Sequence, residues 1–239
     1  MEALHIHMEG FTAFFKIPWS ITASQLTMSC PSYSNILGLL SACTNKIVTK
    51  DDTRIGFEFN HISEGEELER TERFELSGKY LKPHHKGHGI LYRQIHFRPT
   101  LDLYLTNVDF KDSFDNPAAP LTLGRSQDLC WITKVEEVEL TRVKSGNIGS
   151  TMISGKFLNK YISPELVRCA EWFDNNVVGI TRRVGGMGFF QVIPPSNIRM
   201  NIAMNSLYHP SNLNENDVIY LHEWSKPLVR LPPKKKRTK

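Results

Sequence analysis

Apolar and polar residues alternate in two short segments near the start of the chain, residues 3–9 and 54–60. A period of two is typical of a strand that buries one face. Both segments are therefore predicted to be strands. Their core positions are Leu4, Ile6, Met8, Ile55, Phe57 and Phe59.

The segment between these strands predicts a helix. Ser32 or Ser34 can accept hydrogen bonds from the first free backbone N–H groups. The apolar positions that follow include Ile36, Leu37, Leu40 and Ala42. Gly38 lies inside this helix and lowers its helix propensity by about 1 kcal/mol relative to alanine. We expect a close backbone approach at Gly38 to explain its presence.

Residues 61–91 are charged and poor in core-forming side chains. They predict an extended hairpin that projects from the domain, with its tip at residues 83–89, where proline and glycines cluster. Strand periodicity returns at residues 91–97, 100–107 and 131–140, the last with allowance for a bulge. A turn is expected at residues 116–120. In the second of these strands one face is formed by Leu101, Leu103 and Leu105.

The second half of the chain has a less regular pattern, with turns expected at Gly146, Gly149 and Gly155. Residues 163–173 predict a short helix capped by Ser163. Later segments predict a hairpin around glycines at 182–195 and a last strand at 217–224. The strand-rich pattern around one clear helix indicates an α+β sandwich.

The net charge of +4 is concentrated at the C-terminal end of the 239-residue chain. Residues 226–239 contain seven Lys or Arg and no acid, so the rest has 22 bases against 25 acids, a net charge of −3. A uniformly basic surface is excluded, and RNA affinity must come from local patches. Residues 76–101 and 175–214 are basic and lack acids, whereas residues 63–75 hold six glutamates and two arginines.

The sequence shows no apolar run long enough to span a membrane and no signal peptide, so a soluble, cytoplasmic protein is expected. The four cysteines have no zinc-ligand spacing and are expected to be buried or inert. We expect no metal and no cofactor. The cysteines are Cys30, Cys43, Cys130 and Cys169.

Three motifs of the first half, in this order and spacing, resemble the Cas-five family of CRISPR-associated proteins, which belongs to the RAMP superfamily. They are EGFTAFFKIP, PSYSNILGLLSA and PLTLGRSQDL, the last followed by a valine-rich strand. The resemblance covers residues 3–143. It implies a ferredoxin-like (RRM-like) domain at residues 1–143 with an inserted β-hairpin thumb at 62–91. A β-rich C-terminal region at 144–231 and a basic disordered tail at 232–239 complete the predicted organisation.

The same resemblance implies the function of a non-catalytic subunit of a type I, I-B-like Cascade complex of prokaryotic antiviral defence. Such a subunit binds the 5′ handle of the CRISPR guide RNA and links the large subunit to the backbone filament. The thumb folds over the guide RNA and contacts the adjoining backbone subunit. Target DNA is bound through the assembled complex, in RNA-guided DNA binding.

The expected RNA-contacting residues come from the basic hairpin, the start of the helix, the turn at residues 124–126 and two later arginines. Lysine and histidine can neutralise phosphates, aromatic rings stack on splayed bases, and the turn offers a backbone amide, a guanidinium and a hydroxyl. The residues are Lys16, Tyr33, Ser34, Lys79, Lys82, His84, His85, Lys86, His88, Arg93, Arg98, Gly124, Arg125, Ser126, Arg182 and Arg183.

The sequence also suggests three alternative functions. One branch of the same family cleaves precursor CRISPR RNA without metal, and Tyr92, His96 and Lys79 or Lys86 are candidate acid–base groups for it. A free-standing RRM-type binder lacks its RNP aromatic strand here. A purely structural adaptor would tolerate loss of Arg93, Arg98 and Arg125 without a change in RNA affinity. In the tail, residues 234–237 match a nuclear-localisation pattern, but a loose contact to nucleic acid is the preferred interpretation.

Overall fold

The computed structural model describes residues 1–18, 24–157, 165–174 and 183–225, and these residues form mostly β structure. The strands up to Leu105 are β1 (Glu2–Gly10), β2 (Thr12–Ala13), β3 (Ser24–Gln25), β4 (Ile55–Asn60), β5 (Ser63–Ser77), β6 (Tyr80–Phe97) and β7 (Thr100–Leu105). The later strands are β8 (Leu121–Thr122), β9 (Leu129–Ile148), β10 (Thr151–Ser154), β11 (Leu166–Asp174), β12 (Arg183–Ile193), β13 (Met200–Pro210) and β14 (Asp217–Tyr220). The α-helices are α1 (Tyr33–Thr44) and α2 (Lys111–Asp115).

The largest sheet has the strand order β13-β14-β9-β1-β7-β4, with β8 beside β9. Strand β1 pairs antiparallel with β7 and β9, and β7 pairs antiparallel with β4. The chain from β1 through α1 to β4 therefore passes over β7. The bulge allowed for in the strand at 131–140 is confirmed, because His7 pairs with Lys134 whereas Met8 pairs with Ile132.

Helix α1 packs on one face of this sheet, and the core lies between them. The predicted core positions of β1, β4 and β7 are all at most 1% exposed, which confirms the two-residue period. Ser32 is the N-cap: its hydroxyl accepts from the Asn35 backbone N–H, and the Asn35 side chain accepts from the Ser32 backbone N–H. Asn45 ends the helix in the left-handed region with φ of 53°.

The explanation expected for Gly38 is wrong. A Cβ at this position would meet no heavy atom within 4 Å, so no part of the chain approaches the helix closely there. Gly38 is exposed and borders a surface cleft instead.

Strands β5 and β6 form a hairpin of 15 and 18 residues, and its outer part is solvent-exposed on both strands. The tip lies at the turn between Ser77 and Tyr80, where Gly78 has φ of 63°. The tip expected at 83–89 is therefore misplaced. Residues 84–87 form a bulge instead, because Glu72 pairs with His88 while Phe74 pairs with Pro83.

A second sheet, of order β10-β12-β11, packs its buried face against α1. The helix expected at 163–173 is wrong: its described part, from residue 165 onward, is extended and forms most of β11, where Val167, Cys169 and Glu171 alternate as buried positions. Favourable capping residues did not outweigh this two-residue burial pattern.

The glycine hairpin expected at 182–195 is also wrong, because β12 runs through it as one strand. Glycine is required there by packing: a Cβ on Gly185 would lie 2.0 Å from the ring of Trp172 on the neighbouring strand. Gly185 and Gly186 make room for the indole of Trp172 and do not form a turn.

The second half of the chain also completes the first sheet. The boundary predicted at residue 143 falls inside β9, and β13 and β14 join the same sheet as β1. The last strand expected at 217–224 is present as β14, whereas β13 had no sequence prediction. Among the described residues, no helix has the length and hydropathy needed to cross a bilayer.

The thiols follow the sequence expectation. Cys30, Cys43 and Cys169 are buried, and Cys130 is partly buried. Burial raises the pKa of Cys43 to about 11 and the pKa of Cys169 to about 12. These thiols are protonated at neutral pH and unreactive.

Charged side chains on the other face of the sheet predict a pH dependence of stability. Asp102 accepts hydrogen bonds from His5 at 2.8 Å and from His7 at 2.7 Å. Burial opposes ionisation of Asp102, but these hydrogen bonds dominate and lower its pKa from 3.8 to about 2. The hydrogen bond to Asp102 in turn raises the pKa of His7 above 6.5.

Because the folded-state pKa of Asp102 is lowered, its contribution of about 2 kcal/mol is complete above pH 4 and is lost as the pH falls towards 2. The contribution of His7 has the opposite sign: it is present below pH 6.5 and is lost as the pH rises through the raised pKa. We expect Asp102→Asn to lower the free energy of unfolding by about 2 kcal/mol at pH 5–6 and by little near pH 2. Urea unfolding across this range measures the difference, and an equal loss at every pH would contradict the account.

Candidate nucleic-acid interface

A surface cleft lies between the exposed side of α1 and the turn at residues 124–126. Its volume is about 190 Å³. Gly124 has φ of 116°, and a Cβ there would lie 1.9 Å from the Phe14 carbonyl oxygen, so only glycine fits. The turn is therefore held directly against the chain that follows β2. The cleft is lined by Phe15, Pro31, Ser34, Asn35, Ile36, Gly38, Leu39, Ala42, Leu101, Thr122, Leu123 and Gly124.

Arg125 extends from this turn, and its side chain is occupied by carboxylates. Its Nε and Nη2 donate to Asp128 at 2.9 and 2.8 Å, and Nη1 donates to Glu67 at 3.0 Å and to Glu69 at 3.5 Å. The hydrogen bonds with Asp128 raise the pKa of Arg125 above its already high ordinary value. Arg125 thus binds the turn to the base of the hairpin and does not present a free guanidinium to a phosphate.

Arg93 has a similar position on β6. It is 7% exposed, its Nε donates to Glu69 at 2.9 Å, and its Nη1 donates to Gln25 at 2.6 Å. The guanidinium lies 4.4 Å from the Phe14 ring centroid, and that of Arg125 lies 5.7 Å from the same centroid. Phe14 and Glu69 thus contact both arginines, which makes Arg93 a residue that positions the hairpin base rather than an RNA contact.

Tyr33, which was predicted to contact RNA, is inaccessible. It is fully buried, its hydroxyl donates to the Met152 carbonyl at 2.6 Å, and its ring stacks on His222 at 3.9 Å. Burial raises the pKa of Tyr33 well above its usual value. The accessible groups at the start of α1 are those of Ser34, which is half-buried, and Asn35, which is exposed.

The hairpin places the basic and acidic stretches of the sequence on opposite strands of one ribbon. Lys82 lies opposite Glu75, and their charged atoms are 3.2 Å apart. Positive charge on the ribbon is therefore partly neutralised, and Glu75 also lies 3.9 Å from His84 Nε2 in the bulge. His85, Lys86 and the neighbouring His88 are exposed at the bulge, and Lys79 is exposed at the tip. His84 is half-buried in the bulge, where its Nδ1 accepts from the Lys86 backbone N–H.

The outer hairpin also exposes large apolar side chains. Tyr80 is 80% exposed, and three neighbours are more than half exposed. Such a surface on a projecting ribbon indicates contact with a partner. The neighbours are Phe74, Leu76 and Leu81.

An aromatic surface that sequence analysis missed lies beside Arg98. The rings of Phe11 and Trp131 are 4.9 Å apart and both are exposed. The backbone N–H of Arg98 donates to the Phe11 carbonyl at 2.9 Å, and the Arg98 side chain is exposed. Exposed rings next to a cation are suited to stacking on bases of a single strand. The sequence feature that could have indicated this surface is Trp131, a large aromatic residue at a position of β9 that faces solvent.

The remaining predicted residues are spread over the surface. Lys16 is exposed and forms an antiparallel bridge with Thr27, and Ser126 is exposed on the turn. Arg183 is exposed at the start of β12, in the second sheet. Arg182 lies outside the described residues.

The candidate acid–base groups for RNA cleavage do not converge. Tyr92 is half exposed, whereas His96 is fully buried with its Nε2 2.9 Å from the Met28 carbonyl oxygen. Lys79 lies at the hairpin tip and His96 at its base, on the order of 40–50 Å apart at about 3.3 Å per strand residue. Lys86 lies in the bulge, also well outside hydrogen-bond reach of His96.

No family model matches the sequence, and no curated protein matches it. The comparison with solved structures found a chain of a CRISPR RNA-guided surveillance complex that aligns with 83% of this chain and 91% of its own, with a TM-score of 0.54 and 13% identity. A CRISPR protein from Archaeoglobus fulgidus aligns over 92% and 98%, with a TM-score of 0.47 and 11% identity. A chain of the Type III-B Cmr-beta complex bound to cognate target RNA aligns over 82% and 85%, with a TM-score of 0.47 and 10% identity. The first likeness shows a shared fold, mostly β with an antiparallel sheet and few helices.

Proposed function

We propose that this protein is an RNA-binding, non-catalytic subunit of a type I Cascade complex that caps the 5′ handle of the guide RNA. The observation that carries the proposal is the long β5–β6 hairpin, which exposes cationic and aromatic side chains at its bulge and tip. The fold shared with a chain of a surveillance complex supports it.

The finer fold assignment is part of this proposal. We assign a ferredoxin-like RAMP domain to β1, α1, β4, β7 and β9, whose order β9-β1-β7-β4 supports it. In this assignment the hairpin β5–β6 is the thumb, inserted between the second and third strands of the domain.

The described contacts suggest which residues bind RNA directly and which position the hairpin. Lys79, Lys86, His85 and His88 would bind phosphates, and Tyr80 would stack on a base, with about 1–3 kcal/mol expected per stacked base. The surface formed by Phe11, Trp131 and Arg98 provides a second stacking site. Arg93 and Arg125 act indirectly, because they fix the base of the thumb relative to the cleft.

Protein partners complete the proposed site. The exposed side chains Phe74, Leu76 and Leu81 are suited to contact with a backbone subunit, since apolar patches of this kind mark interfaces. The large subunit is the second proposed partner, and target DNA is reached through the assembled complex. The proposed setting is the cytoplasm of a prokaryote, in antiviral defence.

The proposal is tested by incubating the purified protein with labelled repeat RNA and with pre-cut 5′-handle RNA, with and without EDTA. We expect intact RNA on denaturing gels and a handle complex on native gels that weakens as salt rises. Addition of partner subunits should strengthen the complex.

Specific cleavage that persists in EDTA and is lost in Tyr92→Phe would replace the proposal with a metal-independent endoribonuclease. Tyr92 is half exposed and keeps its ring in this variant, so loss of folding would not explain the result. Absence of handle binding, even with partner subunits, would refute the capping role.

A further inference from the structure

Two histidines at the base of the hairpin have buried ring nitrogens without hydrogen-bond partners. Both ring nitrogens of His61 and the Nδ1 of His96 are in this state within the described part of the chain. The rings stack with centroids 4.4 Å apart and planes 23° apart. Buried polar atoms normally form hydrogen bonds, so three unpaired ring nitrogens in one cluster indicate a site that can bind a ligand.

Glu64 brings a carboxylate to the same point. Its Oε1 lies 3.4 Å from His61 Nε2 and 3.4 Å from His96 Nδ1, and the ligand atoms of all three residues lie within 4.8 Å of one another. Charge-assisted N–H···O hydrogen bonds are shorter, about 2.7–2.9 Å. Two ligand atoms held about 2.0–2.2 Å from one tetrahedral metal ion are roughly 3.4 Å apart, which matches the observed spacing.

The surroundings orient these atoms as outer-shell partners orient metal ligands. His96 Nε2 lies 2.9 Å from the Met28 carbonyl, which places the proton on Nε2 and leaves the Nδ1 lone pair directed at Glu64. The other oxygen of Glu64 accepts from Gln94 at 2.7 Å.

We propose that His61, Glu64 and His96 bind a divalent transition-metal ion, with zinc as the best-suited ion. Two imidazoles and one carboxylate are a zinc ligand set, and three protein ligands leave one position for water or an exogenous group. Glu64 and His96 are opposite residues of β5 and β6. A bound ion would join the two strands at the base of the hairpin and, through Met28, fix the hairpin relative to the chain before α1.

This site does not depend on the proposed RNA role, and it is tested without RNA. Protein freed of metal by a chelator and then desalted is titrated with zinc by calorimetry and with cobalt(II) by absorption. We expect one ion per chain, visible-region bands typical of tetrahedral cobalt, and a higher melting temperature with zinc.

Glu64→Gln is the main variant. The Glu64 side chain is exposed, and glutamine has nearly the same shape as glutamate. This substitution should weaken zinc binding more than about 100-fold. Mutation of a residue that only hydrogen-bonds to a metal ligand already lowers metal affinity by about 10–100-fold. His61→Ala should do the same, with the fold checked by circular dichroism.

Two controls locate the ion. Glu66→Gln changes a neighbouring carboxylate of β5 that is no part of the cluster and should leave binding unchanged. The double variant His84→Ala/His85→Ala removes the second group of potential ligands, which includes Glu75 in the hairpin. Binding that is lost in this double variant and kept in Glu64→Gln would overturn the proposal, as would no binding at all.

Discussion

Removal of the outer hairpin is expected to reduce affinity for handle RNA by at least about 100-fold while the domain stays folded. The variant deletes residues 70–90 and joins Glu69 to Leu91 through an Asn-Gly turn. These two residues are opposite each other in the β5–β6 register, so a two-residue turn can connect them. The deletion keeps Glu67, Glu69 and Arg93, which attach the hairpin base to the body.

The expected loss follows from what the deleted segment carries. It contains Lys79, Lys82 and Lys86 together with the exposed ring of Tyr80. Each single-strand phosphate contact contributes about 0.7 to the slope of log affinity against log salt, so loss of the proposed Lys79 and Lys86 contacts lowers the slope by about 1.4. Loss of one stacked base adds about 1–3 kcal/mol.

Fluorescence anisotropy with labelled handle RNA at several salt concentrations measures both quantities. The matched control replaces three exposed lysines outside the hairpin by alanine and has the same change in charge. They are Lys46, Lys134 and Lys144. Equal losses in the deletion and the control would mean that net charge, rather than the hairpin, determines RNA binding.

Glu171→Ala is expected to lower the free energy of unfolding by about 3–5 kcal/mol, because it removes hydrogen bonds to a buried carboxylate, each worth about 1.5–3 kcal/mol, and leaves their donors unpaired. Glu171 and His222 are 2% and 1% exposed. Glu171 accepts from His222 Nε2 at 2.6 Å, from the Ser225 backbone N–H at 2.9 Å and from the Ser225 hydroxyl. This cluster attaches the last described residues to β11.

Burial opposes ionisation of Glu171, yet the hydrogen bonds from His222 and Ser225 dominate and lower its pKa. Burial lowers the pKa of His222, which stays neutral and donates from Nε2. Both folded-state pKa values lie below their ordinary values, so the unfolded state binds more protons and stability falls as the pH drops. In Glu171→Ala the part of this acid dependence that comes from the carboxyl group should disappear. The part that comes from the buried His222 should remain, because Glu171 acts to raise the pKa of His222 and burial lowers it.

Urea unfolding at pH 7, pH 5 and pH 3 tests both statements, because the Glu171 contribution is lost only below its ordinary pKa of 4.5. Glu139→Ala, at an exposed position of β9, is the control and should change stability by no more than about 0.5 kcal/mol. A Glu171→Ala variant as stable as this control would show that the buried cluster contributes little.

The first half of the fold was predictable because its signals are local. The two-residue period of β1, β4 and β7 and the Ser32 cap of α1 depend on residues close in sequence. The second half was not, because its segments carry conflicting signals. Residues 163–173 have a favourable helix start, but pairing with β12 made the described part of this segment a strand. Gly185 and Gly186 of β12 are explained only by Trp172 on the neighbouring strand.

The candidate interface shows the same division. Sequence analysis identified the hairpin and its basic residues but misplaced its tip, because proline and glycine mark a bulge as readily as a turn. The roles expected for Arg93, Arg125 and Tyr33 depended on their side chains being free. The structure shows each of them bound by groups far away in sequence.

The sequence by itself determined the strand–helix–strand start, the projecting charged hairpin and the absence of a uniformly basic surface, since these follow from periodicity and composition. Only the tertiary structure decided which charges meet. It placed Glu67 and Glu69 on Arg125, Glu171 on His222, and Glu64 between His61 and His96. The physical reason is that cross-strand partners are set by register and sheet order. A shift of one residue would turn the strand residues among them, such as Glu64, Glu67 and Glu171, to the opposite face.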